Sequence, residues 1–486
     1  MTVAAAQVPA APAGARTTLV MSCAAVFLVM VNYTVPAVTL PVTAADLRAG
    51  VTGPAWILNG LVLGLSALLL VAGVIADEYG RRRTYLVGML LFALASVGAA
   101  IASRTATFVT ARVLQGAASA ALLAAGLGAV GHAYPAGPPR LKATSSYGAM
   151  VGLGVLAGPF VAAGITTVAG WRATYGALAV VAAVLALLGA GLLPESRAER
   201  PRRLDVAGVV TLSLGLTALV TGLTEGRLGW TRPLVPASFG LAAVLLVAFT
   251  LIERHRTEPL LELVLFRTPL FAIATGGALV SGITVMAVMT FLPNVVQLAH
   301  GISPIGAALL FGLWSGVSFL VSLQARRVPL AGRSQLGLGL TLAVVGYLPL
   351  LGVGDHWSPV RVVIGLLVAG VGSGLINAAL AYLAVASVPP GQSGMGAGAN
   401  NTARYVGSAL GVAAISSVVG AYGLSRGIDV ALVTCIAVVP VVVLAGLRLR
   451  IASEDRSRGS LPRIAPEDVV RAAPQPHARH VHPESA

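Results

Sequence analysis

Charge is scarce in this chain. Only 10% of its 486 residues are Asp, Glu, Lys or Arg, and aromatic residues make up 5%. A soluble domain carries roughly 25% charged residues, so water is not the main solvent for which this sequence is built. Cysteine is nearly absent: Cys23 and Cys435 both fall in apolar runs, where a thiol behaves as a small hydrophobe. A disulfide framework and a cysteine metal site are thereby excluded. Acid is scarcer than base, with 17 Asp and Glu against 32 Lys and Arg, and every acid falls in a tail, a loop or the end of an apolar run. The histidines His132, His255, His300 and His356 are scattered near run ends, and no loop is long enough to hold a soluble domain. A membrane enzyme or sensor would need a catalytic pair, a ligand cluster or such a domain. The expectation is therefore no enzyme, no cofactor and no metal.

Apolar sequence is what the chain has in abundance: 57% of it is hydrophobic, and its mean hydropathy is +0.88. A membrane-spanning helix needs about 20 mostly apolar residues. On that ruler fourteen spans are expected, at 19–40, 55–76, 85–103, 107–131, 143–168, 173–193, 205–224, 235–252, 269–293, 303–323, 335–354, 361–386, 395–420 and 429–448. The fold class is all-α integral membrane. Residues 1–17, rich in Ala and Pro, read as a disordered N-tail. The run that follows is membrane-length, so it is expected to stay as the first span. From 450 onward Pro, Arg and His dominate, which reads as a disordered cytoplasmic C-tail.

The net charge of +15 is distributed by topology. With the N-terminus inside, 23 of the 32 Lys and Arg lie in tails and cytoplasmic loops. Seven lie outside (Arg48, Arg104, Arg172, Arg227, Arg232, Arg361 and Arg426), and Arg112 and Arg404 lie within spans. This is the positive-inside bias that orients membrane proteins. It explains the basic composition without a nucleic-acid partner.

One charged loop stands out, Gly73-Val-Ile-Ala-Asp77-Glu-Tyr-Gly80-Arg81-Arg82-Arg83, between spans 2 and 3. A weaker counterpart, Gln324 to Arg333, follows span 10. If both follow the second span of a repeated half, residues 18–194 and 268–449 are two six-helix bundles, and 195–267 is a linker with two extra helices. Internal repeats of this kind mark transporters. Asp77 can accept hydrogen bonds from Arg81 or face the positive end of a neighbouring helix, making the loop a latch between two conformations; the alternative is a solvated loop that serves topology alone. Arg112 begins roughly 8 Å into span 4. A guanidinium there must face the protein interior, to meet substrate or a protonating group, or to pair structurally with backbone carbonyls. For Arg404 the spacing leaves open whether it faces a cavity. Span 5 carries Gly148, Gly152, Gly154, Gly158 and Gly164, which permit close helix approach, and Pro159, which removes a backbone donor.

Together these residues resemble the fourteen-helix drug:proton antiporter branch of the major facilitator superfamily, over roughly residues 18–450. Gly73, Asp77, Gly80, Arg81 and Arg82 match its signature loop; Arg112, Gln115 and Gly116 match its helix 4 motif. Gly154-x-x-x-Gly158-Pro159 resembles the antiporter motif. Gln297, Gly301, Ser303, Pro304 and Gly306, then Asn401, Arg404, Gly407 and Gly411, resemble the same branch. The resemblance implies a 6+2+6 major facilitator fold and export of an antibiotic or drug by alternating access, driven by the proton motive force. A nutrient symporter of the same fold is the alternative, against which the antiporter-like span 5 argues. The departures are specific. Asn32 stands where relatives commonly place a titrating aspartate, and Leu61 where a tyrosine is often found. Two intramembrane arginines and no mid-span acid point to an anionic or neutral substrate rather than a cationic one, with Asp46 and Asp77 remaining as alternative proton carriers.

Reporter fusions test the topology. At Arg202 and in the C-tail they read cytoplasmic, and near Trp230 external; an external C-terminus contradicts the fourteen-span arrangement.

Overall fold

The computed structural model describes residues 14–50, 53–197, 205–226, 229–256 and 260–459, and among the described residues every regular element is helical. In a bilayer this is the expected outcome, since a helix satisfies its own backbone amides. The helices are α1 (Ala15–Asp46), α2 (Gly53–Tyr79), α3 (Arg81–Ala100), α4 (Thr105–Ala133), α5 (Pro138–Leu192), α6 (Val206–Gly226) and α7 (Leu234–His255). They continue as α8 (Pro269–Ser281), α9 (Ala287–His300), α10 (Pro304–Gln324), α11 (Gly332–Val345), α12 (Pro359–Ala386), α13 (Ser393–Tyr422) and α14 (Leu424–Gly459). The unit Met1–Val443 holds almost all of this, and Leu444–Ala486 forms a second unit, helical as far as Gly459.

Among the described residues twelve helical stretches are long and apolar enough to cross a membrane. Two elements reconcile this number with fourteen crossings. The 55 residues of α5 would extend about 80 Å as one straight helix, far beyond the roughly 30 Å hydrocarbon core. Gly170, at φ 80° and ψ 165°, breaks it, a backbone conformation open to glycine. The two expected spans 143–168 and 173–193 are its two limbs. Conversely, the continuous span expected at 335–354 is corrected: α11 has 14 residues, about 21 Å of rise. A turn and a 3-10 segment, Leu348–Leu350, complete it, because Pro349 offers no backbone N–H to continue the helix.

α8 and α9 form one crossing, Pro269–His300, joined by the π-helical turn Gly282–Met286. The last helix also outruns its expected end at 448, because Arg, Leu, Ala and Glu, all good helix formers, recur in 447–456. The remainder of the C-tail, residues 1–13 of the N-tail, and Arg200, Arg202 and Arg203 of the linker lie outside the described residues.

Two buried apolar clusters organise the bundle. The first draws mainly on α1 to α5, including Val29, Leu61, Phe92, Leu122 and Tyr175; the second draws on α8 to α14, including Met289, Trp314, Tyr347, Leu380 and Leu432. A third joins α6 and α7 to α2 and α13 through Leu70, Leu212, Phe249 and Met395. Outward faces are apolar too: Val87, Leu90 and Leu94 on α3, and Val244, Val247 and Leu251 on α7, are exposed. At three- and four-residue spacing these make helical stripes, which suit lipid tails. The buried Glu225, at the end of α6, accepts from Trp56 Nε1 at 2.9 Å and Arg232 Nη1 at 2.6 Å, tying the extra helices to α2.

Candidate functional site

Four arrangements bear on function, beginning where α2 turns into α3, at what is here called the basic end. Asp77 is buried, 2% exposed, against the first turn of α13. Its Oδ1 accepts from the Gly394 amide at 3.0 Å, and its Oδ2 from the Met395 amide at 2.8 Å. A helix N-terminus leaves its first amides unpaired and carries roughly half a positive charge, so a carboxylate belongs there. Arg81, one turn on, donates Nε and Nη2 to Oδ1 at 3.1 and 2.5 Å, and Nη2 also reaches the Gly391 carbonyl at 2.9 Å. Gly73 allows the approach: a Cβ there would lie 2.3 Å from the Gly394 carbonyl oxygen. Ser393 Oγ donates to the Gly128 carbonyl at 2.9 Å, adding α4.

Gly80 and Arg82 face elsewhere. Gly80, at φ 113°, makes the corner, and the Arg82 amide donates to Glu195 Oε1 at 3.2 Å while its guanidinium reaches the Ala190 carbonyl. Gly73, Asp77 and Arg81 thus meet the α12–α13 corner; Gly80 and Arg82 meet the end of α5.

The second arrangement surrounds Arg112, fully buried on α4. Its Nη1 donates to Asn32 Oδ1 at 2.6 Å, Gln115 Oε1 at 2.9 Å and the Asn32 carbonyl at 3.3 Å. Gln115 Nε2 continues to Ser96 Oγ at 2.8 Å. All three side chains are neutral, and Tyr175 supplies only a ring face, 5.9 Å from the guanidinium carbon. Gly116, on the same helix, brings backbones together: a Cβ would stand 2.1 Å from the Leu61 carbonyl oxygen.

Third, α5 presents glycines on two sides. Gly154 and Gly158 abut α1, where added Cβ atoms would meet Met30 Cβ at 2.5 Å and the Thr34 hydroxyl. Gly148 and Gly152 abut α12 and α10, at 2.8 Å from the Asn377 carbonyl oxygen and 2.9 Å from the Phe319 nitrogen. The helix stays continuous through the buried Pro159.

The fourth is a cavity of about 50 Å³ among α1, α4, α5, α9, α10, α12 and α13. Tyr33, Tyr147, Met289, Trp314, Asn377, Asn401, Arg404 and Tyr405 line it, with no carboxylate. Arg404 therefore faces the cavity, which spacing alone left open. Its Nη2 donates to Asn377 Oδ1 at 2.8 Å, and its Nε has no protein partner. Arg112, Gln115, Asn32 and Gly116 do not line this space. Asn377 is a site residue that sequence reasoning missed, since nothing in its surroundings matches a motif. The Gln297-to-Gly306 pattern proves architectural: Gly301, at φ 64°, ends α9, and Ser303 Oγ caps α10 by accepting from the Gly306 amide at 3.1 Å.

A membrane bundle with a cavity between its helices and a charged clasp at one end has the layout of a solute transporter. The chain belongs to the Major Facilitator Superfamily, whose family model matches residues 22–412. It is 35% identical over 420 residues to the puromycin resistance protein pur8 of Streptomyces alboniger, covering 82% of this chain and 81% of that one. To the multidrug resistance protein Stp of Mycobacterium tuberculosis it is 29% identical over 415 residues, covering 83% and 76%. Its fold matches that of the human organic anion transporter MFSD10 at a TM-score of 0.65, with 16% identity, covering 88% of this chain and all of that one.

Substitutions at two positions test the site. Asp77→Asn removes a charged acceptor whose hydrogen bonds are each worth about 1.5–3 kcal/mol, so transport falls tenfold or so at matched expression while insertion is unchanged; unaltered transport returns the loop to topology. Arg112→Ala abolishes transport, and Arg112→Lys recovers it only in part, because lysine lacks the planar fork. Solute uptake into vesicles measures both, and normal transport by the alanine variant makes Arg112 purely structural.

Proposed function

We propose that this protein exports a small organic molecule of the antibiotic or drug kind across the cell membrane. The two bundles 18–194 and 268–449, joined through 195–267, alternate access around the cavity, with no chemical conversion of the solute. The names of the relatives, puromycin resistance and multidrug resistance, support export over uptake. The observation that carries the reading is Arg404: a half-buried arginine lining a carboxylate-free cavity between the bundles. At about 50 Å³ this cavity is far smaller than the roughly 300–1,000 Å³ that drug-sized ligands occupy. The helices must part to admit substrate, and the Asp77 clasp is what they release. On this reading the basic end and both termini are cytoplasmic.

Arg404 disfavours cationic solutes and suits anionic or neutral ones. The coupling follows from the acids. Asn32 cannot titrate, and the Arg172 guanidinium beside Asp46 holds that carboxyl below the usual carboxylate range, keeping it ionised at neutral pH. Protons as the coupling ion therefore lack their usual carrier. An anion leaving a cell that is negative inside runs down the electrical gradient, worth about 2.3 kcal/mol per charge per 100 mV. The membrane potential is then the component of the proton motive force that drives export.

In proteoliposomes, collapsing the potential while holding the pH gradient slows export sharply, and Arg404→Ala reduces export of anionic dyes more than of neutral ones. Export that follows only the pH gradient, or that favours cationic dyes, overturns this reading.

A further inference from the structure

Arg112 is a full charge with no counter-charge. It is completely buried, and the atoms that accept from it, on Asn32 and Gln115, are neutral oxygens. The helices that enclose it are poor in acid. α3, α4 and α5 contain none, and α1 contains only Asp46, fourteen residues beyond Asn32, or about 21 Å along the axis. Asp46 is itself engaged by Arg172 and Trp171. On α2, Gly60 stands opposite Arg112, and Asp77, the first acid of that helix, is about 25 Å further along it and committed to Arg81. A buried charge is normally paired, because removal from water costs far more than neutral hydrogen bonds return.

The donors at this place are also in surplus. Arg112 Nε and Nη2 and Asn32 Nδ2 are buried without a protein partner. Nε and Nη2 share one edge of the guanidinium and so border one spot, and Asn32 Nδ2 belongs to the amide whose oxygen accepts from Nη1 at 2.6 Å. A cluster that offers only N–H donors and one positive charge is complementary to a small anion. Water can accept such hydrogen bonds but leaves the charge uncancelled.

From this geometry we propose that the Asn32–Arg112 pair binds a chloride-sized monovalent anion, which takes the place of a carboxylate at position 32. The site is separate from the cavity lined by Arg404 and does not depend on the identity or direction of the transported solute. The anionic group of a substrate has the same chemistry, but Arg112 does not line the cavity, which favours a free inorganic anion.

Thermal unfolding of the purified full-length protein, without any substrate, tests the proposal at constant ionic strength as chloride replaces gluconate. The expected result is a saturable rise in Tm, reproduced by bromide, with bromide's anomalous scattering located beside Arg112 in crystals. Asn32→Asp supplies the missing negative charge internally and makes Tm independent of chloride. A Tm equal in chloride and gluconate overturns the proposal, as does a chloride dependence that Asn32→Asp leaves intact. Should that variant fail to fold, bromide found away from Arg112 overturns it equally. Displacement of bromide by an anionic dye, absent with a neutral one, assigns the site to substrate and overturns the inorganic-anion assignment.

Discussion

A carboxylate set into the start of another helix is the contact on which the rest of this structure depends. Asp77 ends α2, yet its oxygens take the first amides of α13, more than 300 residues later in the chain. Arg81 holds the carboxylate in place while reaching the carbonyl just ahead of that helix. Lipid cannot compete for these groups and water is largely excluded from them, so the contact is strong when made and costly when half-made. Such an interaction has two states rather than a continuum. That property suits the proposed role of a clasp that holds one end of the bundle shut and then releases it.

Packing around the clasp depends on small residues. In a bilayer the helices gain nothing from hiding apolar surface, so close backbone contact and interhelical hydrogen bonds hold them together. Gly73 against Gly394, Gly116 against Leu61, and Gly148 and Gly152 against α12 and α10 are such contacts. Because α5 uses glycines toward α1 as well as toward α10 and α12, its backbone approaches the helices on both sides closely. Asn377 itself forms the contact with Gly148, and both it and Arg404 line the cavity, so a change in helix spacing there alters that space.

Much of this was legible in the sequence, for reasons that differ by residue. The crossings were readable because length and apolarity are local properties, and the misjudged one, at α11, failed on Pro349, whose effect on a terminal turn depends on its neighbours. Asp77 was readable as a partner for Arg81 or a helix end because charge at a membrane boundary has few options. Which helix end it meets was not, since α13 lies far away in the chain. Arg404 shows the same limit: a helical position fixes a direction only when the neighbours are known. Asn32 was recognisable as a departure, and the structure adds that its oxygen faces Arg112 directly.

The most direct measurement is the distance across the basic end. Spin labels at the exposed positions Tyr79 and Pro390, in protein lacking Cys23 and Cys435, report it by double electron–electron resonance. If the Asp77 clasp governs closure, the intact protein gives a short, narrow distribution, and Asp77→Asn adds a long-distance population. Identical distributions in the two proteins contradict that role.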